Sequence, residues 1–261
     1  MTNSARRLSK KTWVWLFVAL LMGALGYAGI RWLGSERAPL PEAVAALDSD
    51  AVVEVVKTPW LTFAPTRTTP DVGFIFYPGG RIDPQGYAPL MRAIAAEGYL
   101  VVVPEMPVNI AAFAPNRADE IRAHYPGIRY WVIGGHSVGG TMAAQYTSKH
   151  AQAIDGLVIW ASYPAASADL SDAQIPIALI YGSRDPAADD ASVDARRHLL
   201  PAATQYVRID GGDHHQFGAY EIEARDHHAT ISPSAQHQQV IEATLGLLRS
   251  LPQDVSGMTR S

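Results

Sequence analysis

Cysteine is absent from all 261 residues. That single absence excludes disulfides, thiolate zinc sites, a cysteine nucleophile and an N-terminal lipoprotein cysteine. Charge is scarce as well, at 18% of residues where about 25% is usual. With 21 Lys and Arg against 25 Asp and Glu, the formal net charge is −4. No nucleic-acid partner is expected of such a chain, because a basic stripe is needed to neutralise phosphates. Internal repeats and low-complexity tracts are also missing. A hydrophobic fraction of 48% excludes disorder, and the length suits one large domain or two small ones.

Part of the low charge is local. Residues 12–30 (TWVWLFVALLMGALGYAGI) form 19 consecutive positions without a charged side chain. As a helix at about 1.5 Å per residue this run matches the hydrocarbon thickness of a bilayer. Arg6, Arg7, Lys10 and Lys11 precede it, and Trp13, Trp15, Tyr27 and Trp32 sit near its ends, as interfacial aromatics do. The expectation is a cytoplasmic basic tip at 1–11, a membrane anchor at 12–33, and the remaining chain on the extracytoplasmic side of the cell membrane. A cleaved signal peptide is the competing reading, with small residues around Tyr27 at Gly26 and Ala28. Residues 34–50, rich in Ala, Pro and acid, read as a spacer with a short helical stretch.

Beyond the spacer, short apolar runs alternate with amphipathic ones. Strands are expected at 51–57 and 60–64, paired as an edge hairpin, and at 72–77, 99–103, 129–134, 157–161, 177–181 and 206–209. Helices are expected at 85–97, 116–124, 141–150 and 234–251, the last capped by Ser232 with Pro233 in its first turn. Strands apolar on both faces and separated by helices indicate an α/β fold, a doubly wound and mostly parallel sheet covered on both sides. The domain is expected to run over 51–252, followed by a tail at 253–261.

Chemistry concentrates at three strand ends. Gly135-His136-Ser137-Val138-Gly139 matches G-x-S-x-G directly after one strand and before a helix. A nucleophile on such a sharp turn projects above the sheet, and the helix behind it aims its N-terminal dipole at developing negative charge. A phosphate loop or dinucleotide fingerprint does not fit this spacing. A serine hydroxyl needs a base and a group to orient that base. The strand at 177–181 ends in Gly182-Ser183-Arg184-Asp185, which makes Asp185 the preferred acid, with Asp189 or Asp190 as substitutes. The strand at 206–209 leads to Asp213-His214-His215, where His214 is preferred over His215 as base. The oxyanion formed on attack requires two N–H donors, expected from Val138 and from Gly80, with Arg81 as second choice for the latter.

His214, His215, His227, His228 and His237 lie within 24 residues, beside Asp213 and Asp226. They could be read as a zinc or other transition-metal site. The paired histidines lack the i, i+4 spacing of a helical metal motif, so solvated loop histidines are the preferred reading, with no metal and no cofactor.

With these residues the sequence resembles the α/β-hydrolase superfamily, in particular a compact carboxylesterase-like branch that often carries an N-terminal membrane segment. The matching stretches are FYPGGRIDPQGYAPL, GYLVVVPEMP, YPGIRYWVIGGHSVGG, YGSRD and GGDHHQFGAY, within a resemblance spanning roughly 52–251. Pro104-Glu105 and the polar Asp213-His214-His215 turn depart from that branch. The resemblance implies Ser137 as nucleophile, Asp185 as acid and His214 as base. Only about a dozen residues, 164–176, precede the strand at 177–181, too few for a helical cap. An open cleft is therefore expected, bordered by 82–86, 106–113 and 217–225. The expected function is a monomeric serine hydrolase, a carboxylesterase acting on small or accessible acyl esters. Thioesterase and peptidase chemistry use the same triad, and a non-catalytic binding module on the same fold is the alternative.

Overall fold

The computed structural model describes residues 10–33, 37–226 and 228–252, and the chain divides into two compact units, Met1–Glu36 and Arg37–Ser261. In the first unit, α1 (Lys10–Leu33) is one uninterrupted helix of 24 residues whose large apolar side chains, from Trp13 to Tyr27, are exposed. Among the described residues no helix is long and apolar enough to cross a membrane. The anchor expected at 12–33 thus rests on the sequence run. Of the basic tip expected at 1–11, residues 1–9 lie outside the described residues and Lys10 and Lys11 begin α1; the tail at 253–261 also lies outside them.

The second unit is built on a sheet that has eight strands among the described residues, in the order β1-β2-β4-β3-β5-β6-β7-β8. These are β1 (Val53–Val56), β2 (Leu61–Pro65), β3 (Val72–Tyr77), β4 (Leu100–Val103), β5 (Tyr130–His136), β6 (Gly156–Trp160), β7 (Ile177–Gly182) and β8 (Gln205–Ile209). The β1–β2 and β2–β4 pairings are antiparallel; every pairing from β4 through β8 is parallel. The α/β expectation and its antiparallel edge therefore hold, with boundaries shifted by one or two residues at most strand ends.

Side chains alternate across the sheet, so each apolar strand feeds two cores at once. Phe74, Phe76, Val101, Val103, Val158 and Trp160 face one way, against α3 (Ala88–Ala96) and α7 (Pro233–Arg249). Ile75, Tyr77, Val102, Ile133 and Ile159 face the other, against α4 (Arg117–His124) and α5 (Val138–Lys149). Burial on both faces is what the continuous runs in β3 and β6 demand. At the start of α7, the Ser232 hydroxyl accepts from the Ala235 N–H and Pro233 occupies the first turn, as expected. Residues 161–176, between β6 and β7, contain no helix or strand.

The segment expected as a spacer is part of the domain from Arg37 onward. The short helix α2 (Pro41–Ala45) buries Ala43 completely, and Leu47 joins the core. Residues 37–40 run as a strap between two loops at the carboxyl edge of the sheet. Arg37 N–H donates to Arg81 O at 2.8 Å and Asp83 N–H to Arg37 O at 3.2 Å, while Leu40 N–H donates to Ala219 O at 2.9 Å and Glu221 N–H to Ala38 O at 2.8 Å. The reason is unmet hydrogen bonding: both loops present backbone groups that a passing extended segment satisfies. Ala-Pro composition hides this.

The same edge of the sheet collects the chain's strained backbone. Among the described residues, the non-glycine positions with positive φ are Arg81 after β3, Val108 and Asn109 after β4, Ser137 after β5 and Ala161 after β6. Such residues cost free energy and concentrate where a site imposes its geometry.

Candidate active site

Ser137 sits at φ 55°, ψ −125° between β5 and α5, which begins at Val138, three residues earlier than its apolar pattern suggests. Its N–H donates to Trp160 O at 2.9 Å, tying the turn to β6. Close packing explains the flanking glycines: a Cβ at Gly139 would strike the carbonyl oxygens of Tyr77 and Pro78, and one at Gly135 would strike the backbone of Gly139. Only bare backbone lets the elbow approach β3.

The strand ends bring Ser137, Asp185 and His214 together. His214 Nδ1 lies 2.8 Å from Asp185 Oδ2, and His214 Nε2 lies 3.1 Å from Ser137 Oγ. A carboxylate accepts, so the proton of a neutral imidazole sits on Nδ1, and Nε2 is free to accept the Ser137 hydroxyl. Asp185 is buried to within 1% of its surface, and its other oxygen accepts from the Ala187 and Ala188 N–H groups at 2.7 and 3.0 Å. The carboxylate is thereby fixed in orientation.

The other candidates are placed elsewhere. Asp189 caps α6 (Asp190–Asp194) by accepting from the Ser192 N–H. Asp190 accepts from Arg208 and from the Tyr181 hydroxyl. His215 points away from Ser137, with Nε2 3.8 Å from Asp226 Oδ2; burial, then His214 beside it, pushes its pKa down to about 4. Glu105 is exposed.

In the loop after β3 the N–H donors are almost all engaged. Pro78 has none, Gly79 donates to the Tyr87 hydroxyl, and Arg81 donates to Asn109 O at 2.7 Å. Gly80 is left, and its Cα side approaches Val138 closely enough that an added Cβ would stand 3.2 Å from Val138 Cγ1. Val138, at the first position of α5, has its N–H in the set that helices leave without an internal partner. Arg81 is thus removed as the alternative donor.

Among the described residues, no three His, Asp or Glu side chains converge to hold an ion. His227 lies outside the described residues.

Asp213 carries a role that its sequence context conceals. It is fully buried, and its carboxylate accepts from four backbone N–H groups, those of His215 and Gln216 on one oxygen and His228 and Ala229 on the other, at 2.9 to 3.1 Å. Gln236 in α7 brackets the same residue, accepting from Asp213 N–H at 3.0 Å and donating to Asp213 O at 2.8 Å. These bonds close the turn that presents His214. A polar turn in sequence looks solvated; the long return from 228–229 and α7 is invisible locally.

A family model described as the alpha/beta hydrolase family matches residues 73–238. No curated protein sequence matches the chain significantly. Among solved structures the chain is similar to a predicted CIB-like hydrolase from Thermoplasma acidophilum, at 16% identity and TM-score 0.53, covering 76% of this chain and 98% of that one. It is also similar to Est1E from Butyrivibrio proteoclasticus, solved with ferulic acid bound, at 12% identity and TM-score 0.52, covering 78% and 99%. A third similar structure comes from a study of LipS and LipT, two metagenome-derived lipolytic enzymes, at 12% identity and TM-score 0.53, covering 70% and 96%. At these identities the likeness speaks to the fold.

Proposed function

This chain belongs to the alpha/beta hydrolase family, and we propose that within it the protein is a serine hydrolase, a carboxylesterase for small or accessible acyl esters. The observation that carries the reading is the continuous set of contacts from Ser137 Oγ through His214 to Asp185, at 3.1 and 2.8 Å. His214 Nε2 takes the hydroxyl proton as Ser137 Oγ attacks the ester carbonyl, and the carbonyl oxygen becomes an oxyanion held by the Val138 and Gly80 N–H groups. Collapse of the tetrahedral species breaks the bond to the alcohol, which leaves with the proton from His214, and Ser137 keeps the acyl group. Water then attacks the acyl-enzyme by the same route, with His214 as base, releasing the acid and restoring the serine. Asp185 holds the imidazole in the required tautomer and stabilises the transient imidazolium.

The preference for accessible esters rests on the segment 161–176, which has no helix to form a cap, and on the loop after β4, where Val108 and Phe113 are exposed. A thioester or peptide carbonyl would meet the same groups, so leaving-group preference is set by the rim. For localisation, our reading keeps the domain extracytoplasmic, monomeric and anchored through 12–33, on the strength of the uncharged run and the four cations before it.

A fluorophosphonate probe tests the chemistry. The wild type should be labelled and should hydrolyse p-nitrophenyl acetate; Ser137→Ala should do neither. Equal labelling of both proteins would remove Ser137 as nucleophile, and a folded wild type that is neither labelled nor active would favour a binding module. For the anchor, the full chain should remain with membranes after alkaline carbonate washing, and release into the wash would overturn it.

A further inference from the structure

Two fully buried polar residues at the site take no part in that chemistry: Tyr87, which ends the single helical turn Pro84–Tyr87, and His136, the residue before the nucleophile. They are joined in a line. Gly79 N–H donates to the Tyr87 hydroxyl at 2.9 Å, the Tyr87 hydroxyl lies 2.9 Å from His136 Nδ1, and His136 Nε2 lies 2.9 Å from the backbone oxygen of His214.

The direction of every bond follows from the ends. A carbonyl oxygen only accepts, so His136 Nε2 carries a hydrogen. Burial holds the His136 ring well below the usual histidine range, so the ring is neutral and Nδ1 accepts. Burial also raises Tyr87 well above its usual value, so its hydroxyl keeps its proton and donates it to Nδ1. The tyrosine oxygen is then free to accept from Gly79. All the hydrogen-bonding atoms in the line are used, in one direction, without solvent. In a water-excluded interior such a line is stiff, because breaking any link strands a buried donor and a buried acceptor.

Packing holds the line from the sides. The His136 ring stacks on Phe217 at 5.5 Å and 18°, and it also meets the rings of His214 at 4.8 Å and Tyr87 at 5.9 Å. Tyr87 rests against Phe76 at 4.9 Å. Gly79 must lack a side chain for its loop to come this close: a Cβ there would stand 2.7 Å from His136 Nδ1 and 2.9 Å from the Tyr87 oxygen.

We propose that Tyr87 and His136 are positioning residues, a one-directional hydrogen-bonded line that fixes the Gly79-Gly80 loop relative to the backbone of His214 across the nucleophile. The line starts one residue before the Gly80 donor and ends on the base itself, so the oxyanion site and the base are set by one network. This rests on the serine-hydrolase reading above. A misplaced donor costs stabilisation where the oxyanion forms and leaves ground-state binding nearly untouched.

The test uses the full-length protein with p-nitrophenyl acetate and with a trifluoromethyl ketone, whose adduct with serine imitates the tetrahedral species. Tyr87→Phe should lower kcat by about 10- to 100-fold with KM within about two-fold, and ketone affinity should fall in step with kcat/KM. His136→Gln can still donate to His214 O but cannot serve Tyr87 as before, so its loss should match that of Tyr87→Phe, and the double variant should be no worse than either single one. The proposal fails if folded Tyr87→Phe keeps wild-type kcat, if kcat falls while ketone affinity does not, or if the two losses multiply. Should Tyr87→Phe not fold, His136→Gln with unchanged kcat and ketone affinity refutes it alone. A wild type that neither turns over ester nor labels with fluorophosphonate overturns the serine-hydrolase reading instead, and this proposal with it.

Discussion

Acid should destabilise the domain through His215, and the size of the effect can be worked out from its surroundings. The side chain is 18% exposed, beside His214 and under the influence of Arg37, with Asp226 and Asp213 as the opposing carboxylates. Burial dominates, and the pKa falls from 6.5 to about 4. The unfolded chain takes up a proton as pH drops through 6.5, while the native state does not until about pH 4. Unfolding is therefore accompanied by proton uptake in this window, and stability is lost as pH falls across it. A gap of about 2.5 units corresponds to about 3 kcal/mol in full, of which about 2 kcal/mol is spent between pH 7 and 4.5. Urea unfolding of the wild type and of His215→Gln at those two pH values measures it. His136 and His237, also shifted down by burial, contribute with the same sign in both proteins. The drop in unfolding free energy should be smaller in the variant by about 2 kcal/mol, or a midpoint difference on the order of 1 M urea. Drops that agree within about 0.5 kcal/mol would refute the argument that His215 is held neutral.

Other perturbations probe the frame around the triad. Asp213→Ala removes the acceptor of four backbone N–H groups, that of Gln216 buried and the others part-buried, and should cost about 3 kcal/mol in unfolding free energy, and ester turnover should fall below what the stability loss explains because the His214 turn loosens; a change under about 1 kcal/mol by urea titration would contradict the assigned role. Gly139→Ala forces a Cβ into the carbonyls at the end of β3, and should lower the melting temperature and reduce fluorophosphonate labelling by at least about 10-fold. A chain beginning at Arg37 should retain ester turnover, whereas one beginning at Ser49 removes the strap and its four backbone hydrogen bonds and should lose turnover by more than about 10-fold; equal activity of the two would make the strap a passive connection.

Much of this was legible along the chain. The runs VGFIFY and LVIW announce strands buried on both faces because they are apolar at every position yet too short, between turn residues, for a buried or membrane helix. Ser137 could be picked out because it follows directly on β5, and Asp185 and His214 because they lie in the turns three and five residues beyond the ends of β7 and β8, where backbone direction carries a side chain to the carboxyl edge. What stayed hidden depends on contacts between distant segments. The sequence favours Gly80 over Arg81 as donor, but that the Arg81 N–H is engaged depends on Asn109 O, 28 residues away. The turn already favours His214 over His215 in sequence, but that the His214 ring is the one that meets Asp185 is a tertiary contact.

The sequence by itself determined the class of fold, the elbow and the strand ends to which we assign the chemistry, since hydrophobic period and glycine spacing are local properties of a chain. Only the tertiary structure decided that residues 37–47 belong to the domain, that Asp213 anchors the base turn, and that Tyr87 meets His136. A hydrogen bond between segments 49 residues apart leaves no periodic mark on either one. The tyrosine and the histidine look ordinary in sequence, and their meaning comes from the water that folding excludes around them.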